Sequence, residues 1–428
     1  MKSFAQGDTL LLSLSQAQDY AVKNSFTAKN VGLDAKIAKW RTVEILTEGL
    51  PKLDASVNYT NNFKLPVTIL PGDLVGQPGT DVEVTFGTTN NARLDFQINQ
   101  LLADGRYFIG LKANRAFLAV AQENIEMTEL QVRNAVASAY YAALAAEEGR
   151  KIIEGNIATI EQLVYQTTEM YKAGFAEELD VDRLNLSLSN LQAKLSQTTV
   201  RRDLTLTVLK FQMGMAIETP INLTDSLEQL MLEKPALVEQ AFNYEERSEY
   251  QLLKLAKQLR GYDAQRIRAA YFPSLYFQFG YGFNAQRDAF NFFKMGLPWF
   301  QTGFFAFQLN IPIFDSYKSG AVYQQKKLEI QKYSNDMENF KLQGNVQYAN
   351  ARSNYVNALS EYQSQKKNVA LAQKIFNKVT IMNREGLSSS FELSQAETSL
   401  TEAQGNYINS IYNLLVNKTE LDKALGKY

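Results

Sequence analysis

The sequence of 428 residues contains no cysteine and no histidine. These absences remove thiol nucleophiles, imidazole acid–base catalysis and disulfide bonds, together with nearly all zinc, copper and haem sites. No phosphate-binding loop and no metal-ligand spacing takes their place. The sequence therefore predicts a protein that is not an enzyme and that carries no cofactor and no metal.

Charge of one sign and long apolar runs are also missing. The chain has 44 basic and 45 acidic residues, a formal net charge of −1. It therefore has no net positive charge that would attract nucleic acid or an anionic membrane surface. No run approaches the roughly 18 consecutive apolar residues of a membrane-spanning helix. If the protein spans a bilayer, it does so without a transmembrane helix.

Proline is absent between residues 104 and 172, where a seven-residue apolar repeat predicts one helix of roughly 100 Å. A second such helix is predicted over 315–384, where Gly344 and Gln365 interrupt the repeat. Helices of this length exceed the needs of a compact core, so an elongated architecture is expected. The repeat of the first helix consists of Leu111, Leu118, Ile125, Val132, Ala139, Ala146, Ile153 and Ile160.

The same plan occurs twice along the chain, which indicates an internal duplication. The first repeat, 1–214, has helices within 13–50, strands 52–61 and 92–100, a long helix 104–172 and a return helix 177–213. A linker, 215–234, follows, and its charges Asp225 and Glu228 are expected to be solvated. The second repeat, 235–428, has helices within 235–271, strands 274–284 and 303–312, a long helix 315–384 and a return helix 389–425. Residues 62–91 are predicted to form a loop.

Specific residues mark where the long helices begin and end. Asp104 and Asp315 are predicted to be structural caps, because a carboxylate at a helix start accepts hydrogen bonds from the free amides of the first turn. Gly174 and Gly386 follow the long helices, and glycine is the usual residue for a left-handed turn after a helix.

The four strands each alternate apolar and polar residues over about ten positions, the size of a lipid-crossing β-strand. Asp54, Arg93 and Asp95 all lie on the polar row, as a bilayer requires. Four strands cannot close a barrel, and an open sheet edge is not tolerated in hydrocarbon, so several copies would have to pool their strands. A soluble four-stranded sheet packed on helices is the alternative.

With these elements in this order, the whole chain resembles a TolC-like outer-membrane efflux protein. The resemblance is sharpest in Ile311-Pro312-Ile313-Phe314-Asp315, in Tyr171-Lys172-Ala173-Gly174-Phe175 with Leu179-Asp180-Val181, and in Gly386-Leu387 followed by Phe391-Glu392-Leu393. It implies an α+β membrane protein and a homotrimer whose twelve strands close a barrel in outer-membrane lipid. The long helices would continue as a coiled-coil barrel, which docks to a periplasmic adaptor (membrane fusion protein) that serves an inner-membrane transporter.

The chain is expected to reverse direction at Gly174 and at Gly386, and these two turns are the candidate functional sites. Phe175 and Leu387, beside Gly174 and Gly386, would form the tips that dock the adaptor; alternatively, each packs under its own turn. By resemblance, the channel constriction or gate involves the residues Asp180, Glu392, Asp182, Asn383 and Arg384.

An equally open interpretation of Glu392 is a capping box with Ser389. In the family's best-described members a tyrosine and an arginine flank the second glycine and tie the closed tip. Those places hold Asn383 and Ser388 here. The closing mechanism is therefore left open.

The predicted function is a passive outer-membrane exit duct of a tripartite efflux pump or a type I secretion system. A soluble coiled-coil scaffold would instead be monodisperse without detergent, and a helical pore-forming toxin would need an apolar insertion segment longer than these strands. Ser3-Phe4-Ala5 has the small-x-small pattern of a signal-peptidase site. It predicts a trimmed leader and a location in the outer membrane of a Gram-negative bacterium, extending into the periplasm.

Overall fold

The computed structural model describes residues 9–74, 76, 78–232 and 242–427. The chain divides into two compact units, and each draws on both sequence repeats. The sheet unit comprises residues 37–118 and 256–332, and the helical unit comprises 1–36, 119–255 and 333–428. The repeats 1–214 and 235–428 are therefore not two separate compact domains.

Eight helices and eight strands are found in the described residues. The helices are α1 Leu14–Asn24, α2 Phe26–Thr47, α3 Gly105–Lys172, α4 Glu178–Met213, α5 Leu227–Leu232, α6 Ser248–Ala269, α7 Lys318–Arg384 and α8 Ser390–Ala424. The strands are β1 Leu10–Leu12, β2 Lys52–Asn61, β3 Val67–Pro71, β4 Asp81–Thr85, β5 Asn90–Ala103, β6 Ile221–Leu223, β7 Ser274–Arg287 and β8 Phe300–Asn310.

Several predicted boundaries need correction. The second of the helices predicted within 13–50 ends at Thr47 rather than at 50, since the chain must turn extended before proline. α7 begins at Lys318 rather than at 315. α6 begins at Ser248 after a single 3₁₀ turn, and residues 233–241, where the predicted helix starts, lie outside the described residues. Ser3-Phe4-Ala5 also lies outside them.

The predicted linker and loop are both more structured than the sequence suggested. β6 pairs in parallel with β1, and Leu227 of α5 is fully buried. Asp225 is partly buried and accepts a hydrogen bond from the Leu14 amide at 2.7 Å, so it is not the freely solvated charge that was predicted. Glu228 is exposed, as predicted, and accepts a hydrogen bond from the Tyr407 hydroxyl at 2.6 Å. Within the predicted loop 62–91, β3 and β4 form an antiparallel hairpin.

The sheet unit contains one antiparallel sheet in the order β2-β5-β7-β8. Because antiparallel partners project to the same side, its register puts the apolar row of every strand on one face. Leu53 lies opposite Ile98, Ile98 opposite Phe279, and Phe279 opposite Phe305. The opposite face is polar and carries the Arg93–Asp95 ion pair at 2.7 Å.

The two outer strands have no partner on one side within the described chain. Every residue of β2 is exposed, and so is every residue of β8 except Ala306. β5, which is paired on both sides, runs over 90–103 instead of the predicted 92–100, whereas β8 ends at Asn310 rather than at 312. The sheet thus has two open edges.

The helical unit is held by the predicted heptad seam. Val132, Ala139, Ala146, Ile153 and Ile160 are all buried on α3. Val132 and Ala139 belong to an apolar cluster that includes Tyr140, and Ile160 belongs to a second cluster, which lies beneath the reversals that follow α3 and α7. The second cluster contains Ile160, Leu163, Leu184, Leu191, Phe376, Leu393, Ala396 and Leu400. Among the described residues, no helix is both long and apolar enough to cross a membrane.

Candidate functional site at the two helix reversals

The reversal after α3 and the reversal after α7 have the same backbone geometry. Gly174 has φ +79° and Gly386 has φ +75°. In the first turn the Phe175 amide donates to the Met170 carbonyl at 2.9 Å, and in the second the Leu387 amide donates to the Met382 carbonyl at 2.8 Å. This six-to-one bond satisfies a carbonyl at a helix end and reverses the chain within a few residues.

The need for glycine at these turns is conformational. A Cβ atom built on either Gly174 or Gly386 meets no atom within 4 Å, so the space for a side chain is open. A positive φ, however, brings the Cβ of any L-residue too close to its own carbonyl oxygen. Substitution would therefore strain the turn without a clash against the neighbouring helices.

The return helix α8 begins with a capping box. The Glu392 amide donates to Ser389 Oγ at 3.2 Å, and the Ser389 amide donates back to Glu392 Oε2 at 3.2 Å. Ser388 Oγ also donates to Glu392 Oε2. The Ser388 hydroxyl, followed by the Ser389 amide, holds the pKa of Glu392 below its ordinary value, so this carboxylate is charged at neutral pH.

Asp180, the counterpart of Glu392, makes a bond that crosses between the reversals. Its Oδ2 accepts from the Glu177 amide at 3.3 Å, which caps α4. Its Oδ1 accepts from Ser390 Oγ, a buried hydroxyl at the start of α8. One carboxylate therefore ties the first turn of α4 to the first turn of α8.

Two further contacts lie directly behind this tie. The Arg183 guanidinium is 5.8 Å from the centre of the Phe391 ring, a cation–π contact from α4 to α8. Leu184 and Leu393 are fully buried below it. The starts of both return helices are thus joined by a hydrogen bond to a carboxylate, by a cation–π contact and by apolar packing.

A buried polar network that the sequence analysis missed continues along α8. Glu397 is only 5% exposed; its carboxylate accepts from Ser187 Oγ at 2.9 Å and from Thr401 Oγ1 at 2.8 Å. Asn156 Nδ2 donates to Thr401 Oγ1 at 3.0 Å, which extends the network to α3. The signal was present in the pattern, because Glu397 follows Leu393 by one helical turn on the buried stripe.

The remaining predicted gate residues are dispersed. Asn383 Nδ2 donates to the Ser388 carbonyl at 2.9 Å, a bond that stays within the second reversal. Asp182 and Arg384 are exposed, and neither forms an ion pair within the described ranges. Phe175 is 80% exposed and Leu387 is 69% exposed, so neither side chain packs under its own turn in the chain.

The predicted caps lie at the starts of the long helices. The Arg106 amide donates to Asp104 Oδ1 at 2.7 Å, and the Arg106 guanidinium pairs with the same buried carboxylate. The Ser319 amide donates to Asp315 Oδ2 at 2.8 Å. Both carboxylates thus accept an orphan amide of a first turn, although α7 itself starts at Lys318.

Comparison with protein-family models matches residues 247–427 to the family described as "Outer membrane efflux protein". Among curated proteins, the probable efflux pump outer membrane protein TtgC of Pseudomonas putida is 28% identical over 311 residues, which are 70% of this chain. The match spans 61% of that relative's length.

Solved structures resemble nearly the whole chain. VceC of Vibrio cholerae, an outer membrane protein, has a TM-score of 0.71 at 14% identity and covers 97% of this chain and 96% of its own. The open state of the MtrE outer membrane channel of Neisseria gonorrhoeae has a TM-score of 0.73 at 19% identity and covers 97% and 89%. At these identities the likeness establishes the fold.

Proposed function

We propose that this chain, which by its family match and its fold is a TolC-like outer-membrane efflux protein, is the exit channel of an efflux or type I secretion machine. The family and the fold class predicted from the sequence are confirmed. The relative TtgC is named an efflux pump outer membrane protein, and we extend that role to this chain. The family implies the outer membrane of a Gram-negative bacterium; removal of a leader peptide stays a prediction.

The observation that carries the proposal is the sheet. Its apolar row is continuous across four strands, and both of its outer edges are open. In lipid each unpaired backbone group costs several kcal/mol, so edges of this kind require partner strands. Pairing between copies would close the barrel, and the homotrimer that the family resemblance implies would supply twelve strands.

The polar face of the same sheet is suited to line a water-filled interior. Arg93 and Asp95 form their ion pair there, among glutamine and asparagine side chains. A basic side chain turned to the bilayer midplane would cost about 2–4 kcal/mol. The segregation of charge supports a polar lumen and an apolar exterior.

The reversals at Gly174 and Gly386 are proposed as the periplasmic mouth. The gate would consist of Asp180 and Glu392, with Asp182, Asn383 and Arg384 around them. Carboxylates repeated by symmetry favour cations and disfavour anions in a narrow pore. The tie from Asp180 to Ser390 supports a closed state held by bonds between the return helices.

Phe175 and Leu387 are proposed to dock the periplasmic adaptor, because they are exposed apolar residues at equivalent places in the two reversals. Replacing both with serine is expected to weaken adaptor binding, measured by surface plasmon resonance, and to leave the oligomeric mass unchanged. Leu371 on α7, which is 58% exposed and away from the turns, provides a matched Leu→Ser control. Equal loss in the control variant would remove the tips from the docking surface.

The channel function is tested by extraction and conductance. The proposal expects that the protein needs detergent, that its detergent-corrected mass is three chains, and that it conducts ions in planar bilayers. A lone, water-soluble chain would support the coiled-coil scaffold instead. A trimer that never conducts would contradict the channel while leaving the fold assignment intact.

A further inference from the structure

Two glycines of β7 bring side chains from the neighbouring strands together on the polar face of the sheet. Gly280 lies opposite Phe304 of β8, and Gly282 lies opposite Asp95 of β5. Opposed residues of antiparallel strands project to the same side, and so do residues two positions apart on one strand. The Phe304 ring and the Asp95 carboxylate are therefore neighbours on one face.

Both side chains lie across β7, in the space that side chains at its two glycines would fill. A Cβ atom built on Gly280 would lie 2.7 Å from Phe304 Cζ, which is closer than packed carbon atoms approach. A Cβ atom built on Gly282 would collide with Asp95 Oδ1. The ring thus covers one glycine and the carboxylate covers the other. Residues two positions apart on a strand are separated by about 7 Å, so the two groups lie side by side.

This arrangement leaves both groups accessible. Phe304 is 53% exposed although it belongs to the polar face, and the Asp95 side chain is 26% exposed. If the polar face lines the lumen, the exposed part of the ring contacts the contents of the lumen and not lipid. A molecule that passes through the lumen can then contact the ring and the carboxylate at the same time.

The carboxylate already has a counter-ion within the chain. Arg93 Nε donates to Asp95 Oδ1 at 2.8 Å, and the Arg93 side chain is 60% exposed. An ion pair that is exposed to this extent contributes little, because water screens both charges. Another cation can therefore take the place of Arg93 beside Asp95 at small cost.

We propose, on the premise of the channel function above, that Phe304 and Asp95 form a binding site for organic ammonium ions in the lumen of the barrel. An aromatic ring attracts a cation through its quadrupole, and quaternary ammonium ions are the cations that aromatic sites commonly bind. Mg²⁺ gives up its water reluctantly and gains less from a ring. The carboxylate supplies the opposite charge, and the ring contacts the apolar groups of the ammonium ion.

The second carboxylate on the polar face of β2 and β5 lies apart from the ring. Asp54 is exposed and lies opposite Gln97, which in turn lies opposite Gly280. Two strands, β5 and β7, therefore separate Asp54 from Phe304. Asp54 has the same charge as Asp95 on the same face, but no aromatic ring lies beside it in its row before Phe304.

Block of single-channel current by tetrabutylammonium in planar bilayers tests the site. Phe304→Leu removes the ring and keeps an apolar side chain over Gly280. Phe305→Leu is its matched control, because Phe305 is the next residue, is 72% exposed and belongs to the apolar face. Asp95→Asn removes the carboxylate charge, and Asp54→Asn is the control with the same change in net charge.

Phe304→Leu is expected to raise the tetrabutylammonium concentration for half block by about two- to fivefold, the range of a cation–π contact at an exposed site. Its response to Mg²⁺ should not change. Phe305→Leu should be blocked like the unmodified channel, and Asp95→Asn should weaken the block more than Asp54→Asn does. If Phe304 only protects the backbone at Gly280, leucine substitutes for it and the block stays as it was.

Gly280→Ala provides a second variant that retains the ring. Its methyl group needs the space that the Phe304 ring occupies, so the ring must move away from its place beside Asp95. The block should weaken as in Phe304→Leu, and the detergent-corrected mass of the oligomer should stay that of the unmodified protein.

The outcomes separate the site from its premise. A conducting channel that tetrabutylammonium does not block, or that Phe304→Leu and Phe305→Leu affect equally, overturns the site and leaves the channel function standing. A response to Mg²⁺ that changes as much as the response to tetrabutylammonium also overturns it, because the ring would then act on the shape of the pore. An oligomer that never conducts overturns the channel function and the site together.

Discussion

The tie between Asp180 and Ser390 predicts how the reversals are held closed. Ser390→Ala removes the hydroxyl that donates to Asp180 and leaves both gate carboxylates in place. A hydrogen bond to a charged group contributes about 1.5–3 kcal/mol. Because Asp180 is partly exposed, the lower end applies, and the ratio of closed to open states should fall about tenfold for each tie.

Single-channel recording in planar bilayers measures this ratio as the fraction of time spent in the low-conductance state. Ser388→Ala is the matched control, since it also removes a hydroxyl bonded to a carboxylate, but within one reversal. Asp182→Asn controls for charge, because Asp182 is an exposed neighbour two residues from Asp180. Ser390→Ala should raise the open fraction, Ser388→Ala should resemble the unmodified protein, and Asp182→Asn should have a smaller effect than Asp180→Asn.

A double variant separates a bond from a charge effect. If the tie acts as one unit, Asp180→Asn with Ser390→Ala should open the channel no more than the larger single change. Gating of Ser390→Ala that matches the unmodified protein would refute the reasoning. So would Asp182→Asn acting as strongly as Asp180→Asn, because the general field would then be responsible.

Three further outcomes are expected. Gly174→Ala should destabilise the reversal by about 1–2 kcal/mol through its positive φ, seen as faster amide exchange confined to the turn; exchange at the unmodified rate would contradict this. The Ser388 hydroxyl holds the pKa of Glu392 below its ordinary value, so the cap of α8 should be intact above the ordinary glutamate range and should weaken as the pH falls through the lowered pKa. Amide hydrogen exchange in the first turn of α8, measured at several pH values, would report this weakening. Protection of these amides that does not change with pH would contradict the prediction. Tyr140→Phe removes a buried hydroxyl within 2.9 Å of Asp225 and should lower stability by about 1–3 kcal/mol in chemical denaturation, whereas an unchanged midpoint would make that contact unimportant.

The sequence could determine the elements because their signals are local. A heptad row predicts which face of α3 is buried, and Val132 and Ile160 are indeed buried. Strict alternation in β2 and β5 predicts one apolar face, because side chains alternate sides along any strand. Glycine after each long helix predicts a left-handed turn, and Gly174 and Gly386 adopt it.

The sequence could not determine which distant residues meet. Asp180 and Ser390 lie 210 positions apart, and nothing local to either one indicates that the other is its partner. The position of Glu397 one turn after Leu393 indicates a buried side chain, but its partner Ser187 lies 210 positions away and could not be identified from the sequence. Asp225 likewise accepts a hydrogen bond from the distant Leu14 amide, in the region where β6 pairs with β1.

The sequence by itself therefore determined the long helices and their return helices, the four strands of the main sheet with their apolar faces, and the reversals, since each follows from dihedral preference or from periodicity within a few residues. The tertiary structure alone decided the strand order, the register of the strands and the open edges of β2 and β8. Strand order and register depend on free-energy differences between pairings of segments far apart in the chain. Those differences arise from packing across the whole sheet, which no short stretch of sequence contains.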